Sequence, residues 1–123
     1  AALRGLKKLD LHNNRISDLS PLKELYGLES LLIYNNHVTS LQPLSGMKNL
    51  TELSAENNRI EDVSPLAGLT ALQKLYLQNN QITDVSPIRN LVNLTRLALD
   101  GNPVSDFAPL RNFDTTVFQI PKE

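Results

Sequence analysis

Few residues in this chain have the types and spacing that chemistry needs. Asp10 and His12 alternate, so in an extended segment both side chains leave the same face. A carboxylate and an imidazole so placed could hold a metal ion weakly, but two ligands fall short of a stable site. The only other histidine is His37. There is no cysteine, which excludes thiolate ligation, disulfides and a cysteine nucleophile. No nucleophile stands in pattern with a base, and no glycine-rich loop could cradle phosphate. Neither a metal nor a cofactor is expected, and no catalytic residue is assigned. Asn49-Leu50-Thr51 and Asn93-Leu94-Thr95 match the N-glycosylation acceptor, but both arise from a pattern that recurs along the whole chain.

That pattern is Leu-x-x-Leu-x-Leu-x-x-Asn, which begins at Leu6, Leu28, Leu50, Leu72 and Leu94, always 22 residues after the last. Ala55 takes a Leu or Ile position in the third block. Each repeat has seven apolar positions, and all 35 are apolar although only 41% of the chain is. A fixed period of this length belongs to stacked coils rather than to a globular core with a catalytic pit. The repeats are read as 6–27, 28–49, 50–71, 72–93 and 94–115 within one domain. Residues 1–5 are read as the end of a preceding repeat, and 116–123 as a C-terminal cap or the start of a following segment. Leu3-Arg4-Gly5 fits the last positions of an earlier repeat, so the chain is read as a piece of a longer protein.

Each repeat has two halves. The first alternates apolar and variable residues, which is strand periodicity. Strands related by 22 residues run the same way and form a parallel sheet. The second half carries Ser20-Pro21, Gln42-Pro43, Ser64-Pro65, Ser86-Pro87 and Ala108-Pro109. Proline suits a helix start, serine is expected to cap it, and apolar spacing of three favours a short 3₁₀ turn. Asp18, Asp62, Asp84 and Asp106, with Ser40 as the exception, are read as local backbone acceptors. Asn14, Asn36, Asn58, Asn80 and Asn102 fall where the chain leaves the strand, and are expected to form a structural ladder. Gly101 interrupts a second column of Asn13, Asn35, Asn57 and Asn79, and Pro103 follows Asn102, so the fifth turn should differ. Ala55 is expected to leave a local weakness. Beyond Phe113 the register fails, and Val117-Phe118-Gln119-Ile120 is expected to close the core or lead into a lost domain.

Three outward rows remain. The first is Lys8, Ser30, Glu52, Lys74 and Arg96; the second is Asp10, Leu32, Ser54, Tyr76 and Ala98; the third is His12, Tyr34, Glu56, Gln78 and Asp100. They vary while the frame repeats, as a recognition surface would. Leu32, Tyr34 and Tyr76 are the expected anchors, since exposed apolar and aromatic groups invite a partner to cover them. Glu52, Glu56, Lys74, Arg96, Gln78, Asp100, Asp10 and His12 complete the candidate surface. Its mixed charge, and a net charge of −1, favour a protein partner over nucleic acid or an anionic membrane. No apolar stretch is long enough for membrane insertion.

Asn58 to Leu66 reads Asn-Arg-Ile-Glu-Asp-Val-Ser-Pro-Leu, and Asn80 to Ile88 reads Asn-Gln-Ile-Thr-Asp-Val-Ser-Pro-Ile. In these residues the chain resembles leucine-rich repeat proteins of the 22-residue class, and most of all bacterial internalins, over residues 3 to 113. The resemblance implies an α/β leucine-rich repeat solenoid, with a curved parallel sheet inside and 3₁₀ or short helical turns outside. It implies a non-enzymatic module that binds a protein through its concave sheet, at the bacterial cell surface or secreted. Internalins carry a helical cap before the repeats and an immunoglobulin-like domain after them, and neither is found here. Self-association through the uncapped N-terminal end is a further expectation. Rival readings are a spacer between domains and an intracellular regulatory subunit of an enzyme such as a phosphatase. The eukaryotic phosphatase regulators of this class usually lack the Asp-x-Ser-Pro signature.

Overall fold

The computed structural model describes residues 5–118. Five strands, β1 (Lys8–Asp10), β2 (Ser30–Leu32), β3 (Glu52–Ser54), β4 (Lys74–Tyr76) and β5 (Arg96–Ala98), form one parallel sheet in sequence order. Every register step is 22 residues: Leu9 lies beside Leu31, Leu31 beside Leu53, Leu53 beside Leu75 and Leu75 beside Leu97. The ladder runs on past the named strands. Leu11 N–H donates to Leu32 O at 2.8 Å and Asn13 N–H to Tyr34 O at 3.1 Å, and the next coils repeat both bonds.

The chain then turns sharply. Asn13, Asn35, Asn57 and Asn79 have φ of 58–59° and Gly101 has φ of 78°. Asparagine and glycine are the residues that tolerate this left-handed region, which explains why the column holds only these two types. The fifth turn shares the positive φ but differs as expected. Pro103 has no N–H to repeat the bonds that His37, Arg59 and Gln81 donate to Ile16 O, Val38 O and Ile60 O, and Asn102 Oδ1 accepts the Asn80 N–H as well.

The second half of each coil carries one 3₁₀ turn: Ser20–Leu22, Gln42–Leu44, Ser64–Leu66, Ser86–Ile88 and Ala108–Leu110. No α-helix occurs among the described residues. The expectation that serine caps these turns is corrected. The capping positions are Leu19, Leu41, Val63, Val85 and Phe107, none with a side-chain cap, and Ser20, Ser64 and Ser86 are already the first turn residues. The acceptor is the residue two places upstream. Asp18 takes the Ser20 N–H at 2.9 Å, Asp62 that of Ser64 at 2.8 Å, Asp84 that of Ser86 at 2.9 Å and Asp106 that of Ala108 at 2.9 Å. Ser40 Oγ does the same for Gln42 N–H at 3.2 Å. These are Asx-type turns, which leave serine free to donate its hydroxyl back to Asp18 or Asp62.

Between sheet and turns lies a continuous apolar core. The framework apolar residues of the second, third and fourth coils, from Leu28 through Leu91, are sealed from solvent. In the first coil only Leu19 is buried, while Leu6, Leu9, Leu11, Ile16, Leu22 and Leu25 are partly buried. At the other end Phe118 is buried and its ring lies 5.6 Å from that of Phe107, while Leu97 N–H donates to Val117 O. Gln119 and Ile120, expected to share that role, lie outside the described residues.

Candidate partner-binding face

The inner asparagine column holds the stack together from within. Asn58 Nδ2 donates to Ala55 O and Glu56 O in its own coil and to Ile33 O in the one before, at 3.0–3.1 Å. Its Oδ1 accepts the Val38 N–H at 3.0 Å. Asn36 and Asn80 make the same set. Asn102 keeps its donations to Leu77 O and Leu99 O and accepts from both Asn80 and Ile82 N–H. Asn14 donates only within its own coil, to Leu11 O and His12 O. The two sequons belong to the same kind of scaffold. Asn49 Nδ2 donates to Tyr26 O and Asn93 Nδ2 to Thr70 O, while Thr51 and Thr95 hydroxyls donate to Glu29 O and Gln73 O.

On the opposite face of the sheet the registers bring the three outward rows together. Lys8, Ser30, Glu52, Lys74 and Arg96 are lateral neighbours in turn, as are Asp10, Leu32, Ser54, Tyr76 and Ala98. Leu32, Tyr34 and Tyr76 are half-buried; Asp10, Lys74, Arg96 and Asp100 are exposed. Tyr34 and Tyr76 lie two coils apart, about 10 Å by strand spacing.

Several contacts on this face were not anticipated from single residues. The His12 ring stacks on Tyr34, centroids 4.7 Å apart and planes 10° from parallel. His12 Nδ1 lies 2.5 Å from Asp10 Oδ1, which also accepts the His12 N–H at 3.2 Å. The imidazole hydrogen bond, then the backbone one, hold the Asp10 carboxyl below its usual range against a smaller opposing effect of burial. Tyr34 is thus propped by its neighbour 22 residues away, and Asp10 and His12 bind each other. Ser54 is buried and its hydroxyl donates to Glu56, while Ser30 Oγ donates to Glu52 Oε1 at 3.1 Å. Gln78 Oε1 is buried without a donor. The signal for His12–Tyr34 and Ser30–Glu52 was the lateral neighbour one repeat away, and for Asp10–His12 and Ser54–Glu56 the next residue on the same strand face.

Away from the strands, a shallow groove of about 650 Å³ runs beside the turns of the first two coils, with Lys23, Tyr26 and Gln42 in its wall. The Tyr26 ring lies over Gly46, where an added Cβ would meet it at 3.4 Å. Among the described residues no group of three or more histidine, aspartate or glutamate side chains could hold a metal ion, and no helix is long and apolar enough to cross a membrane.

Family models described as Leucine Rich repeats (2 copies) match residues 26–68 and 70–112, and one described as Leucine Rich Repeat matches residues 5–25. A search of curated proteins found no match. Among solved structures, internalin C2 of Listeria monocytogenes is 39% identical with a TM-score of 0.91, over 97% of this chain and 52% of that one. Internalin InlF of the same organism is 38% identical with a TM-score of 0.88, over 89% of this chain and 32% of that one. The chain thus spans about half the length of the first and a third of the second. The leucine-rich repeat ectodomain of the plant membrane receptor kinase GASSHO1/SCHENGEN3 from Arabidopsis thaliana, in complex with CASPARIAN STRIP INTEGRITY FACTOR 2, is 27% identical with a TM-score of 0.72. That match covers 80% of this chain and 13% of the ectodomain. Together with the coil geometry, these matches show that the chain belongs to the leucine-rich repeat family, is internalin-like in its repeats, and has a fold that serves protein–protein interaction.

Proposed function

We propose that this chain is a non-enzymatic binding module that grips a protein partner through its open strand face, as part of a bacterial surface or secreted protein. One observation carries the reading. A repeating frame presents Leu32, Tyr34 and Tyr76 half-buried on a sheet face that no other layer covers among the described residues. Parallel sheets are normally covered on both faces, so an open one suits a surface whose cover is another molecule. The plant ectodomain, of the same fold, is a complex with a second protein, and the likeness to two Listeria internalins supports the bacterial reading. A spacer would have no reason to keep aromatic groups on that face.

The test is affinity capture from a pool of cell-surface proteins with three baits. The wild-type chain and a Tyr26→Ala variant, changed beside the turns, should retain the same partner. The Tyr34→Ala/Tyr76→Ala double variant should lose it. Unchanged capture by the double variant would remove the strand face as the site.

A further inference from the structure

The charges on the strand face are sorted. In the first row Lys74 and Arg96 are adjacent, exposed and without an ion-pair partner among the described residues. Glu52 lies beside Lys74 but takes the Ser30 hydroxyl instead. In the third row Glu56, Gln78 and Asp100 succeed one another, with no cation among them. Glu56 is satisfied only by the Ser54 hydroxyl, and Gln78 Oε1 lacks a donor. Between the rows lie Ser54, Tyr76 and Ala98.

The two charged rows are four residues apart along each strand, about 13 Å at the usual rise. That exceeds the roughly 10 Å over which charges interact at ordinary ionic strength. The basic and acidic rows therefore do not neutralise each other, and each is left to an outside ion.

We infer that the partner docks a polypeptide segment carrying an acidic, an apolar and a basic side chain, in that order along the strand direction. The acid meets Lys74 and Arg96, the apolar group covers Tyr76, and the base enters between Glu56 and Asp100 beside the Gln78 carbonyl. This rests on the strand face being the binding site. An extended segment places alternate side chains about 6.6 Å apart, and a helix places residues four apart about 6 Å apart, so either spans the rows. A nucleic-acid backbone or an anionic lipid surface would set its phosphates against the acidic row.

A phage-displayed library of random peptides, panned on the wild-type chain, is the probe. The expected yield is enrichment of peptides with acid, apolar and base in this order. Their affinity should fall about tenfold on Lys74→Glu/Arg96→Glu and again on Asp100→Lys, and fall as salt is raised. An Arg59→Glu/Arg111→Glu variant of the same net charge change, off this face, should bind within about threefold of wild type. Circular dichroism confirms that each variant is folded. Peptides lost on Tyr34→Ala/Tyr76→Ala but indifferent to the charge reversals overturn the charge order and leave the face standing. Peptides indifferent to both the tyrosine variant and the charge reversals overturn both. A library that yields no enriched peptide overturns a linear segment as the partner.

Discussion

The side-chain amide of Asn35 donates to Asn13 Oδ1 at 2.6 Å. Asn57 donates to Asn35 Oδ1 in the same way at 2.6 Å, and Asn79 to Asn57 Oδ1 at 2.9 Å. This exposed ladder runs beside the buried one, so within the first four coils each is tied to the next by two asparagines in succession. The residue type has two causes at once: tolerance of a positive φ and an amide that both donates and accepts.

Gly101 ends the exposed ladder. A Cβ there would collide with Asn79 Oδ1 and lie 3.2 Å from Asn79 N, at a φ that already disfavours L side chains. Gly101→Ala should cost about 2 kcal/mol by urea denaturation, since Asn79 must rotate out of its bond to Asn57. Gly101→Asn brings the same Cβ and displaces Asn79 likewise, so it should cost less than Gly101→Ala only by what its tolerance of positive φ and an amide bond to the moved Asn79 return. Equal losses would show that the amide contributes nothing.

The buried ladder is far more sensitive. Asn58→Ala strands the Val38 N–H and removes the donor to Ile33 O, Ala55 O and Glu56 O. The expected loss is about 3 kcal/mol or more, measured by chemical denaturation. Asn14→Ala should cost about 1 kcal/mol or less, because Asn14 is exposed and bonds only within its own coil.

How much of this was legible follows from what the repeat enforces. A residue at a framework position faces the same surroundings in every coil, so Leu53 or Asn58 can be placed by counting from Leu9 or Asn14. The 3₁₀ turns followed from proline and three-residue spacing, although the capping role went to the upstream aspartate. Serine fails as a cap because the turn has already begun at Ser20, where its own N–H needs an acceptor. The strand face was legible only as rows. That His12 stacks on Tyr34 depends on which side chains meet across coils, and that the Ser54 hydroxyl donates to Glu56 depends on which meet along one strand. No periodicity carries that information, because the scaffold leaves these positions free.

Acid should loosen the turns. The carboxyls of Asp18 and Asp84 are held below their usual range first by the backbone N–H of Ser20 and Ser86, then by the serine hydroxyls. A carboxyl with a depressed folded value adds stability above its unfolded value, and that contribution disappears as pH falls through the folded value. The loss should therefore begin near pH 4 and deepen below it. Thermal denaturation of Asp84→Asn between pH 7 and pH 2.5 should show a shallower decline in Tm than wild type. A decline of the same steepness would show that Asp84 releases no stability on protonation.

Stability should also vary with position along the stack, because each coil leans only on its neighbours. Leu53 is sealed between Leu31 and Leu75, so Leu53→Ala should cost about 3–4 kcal/mol through lost burial and the cavity left behind. Leu9 holds the equivalent position in the first coil but is only partly buried, with Leu31 beside it. Leu9→Ala should cost about half as much or less, since less burial is forfeited and the site can relax outward. Hydrogen exchange separates local from global effects. In the Leu9→Ala variant the amides of Leu11 and Asn13, which donate to Leu32 O and Tyr34 O, should exchange faster while those of Ala55 and Asn57 keep their protection. Uniform acceleration across all five coils would mean that the stack opens as one unit and that its end coil has no independent freedom to fray.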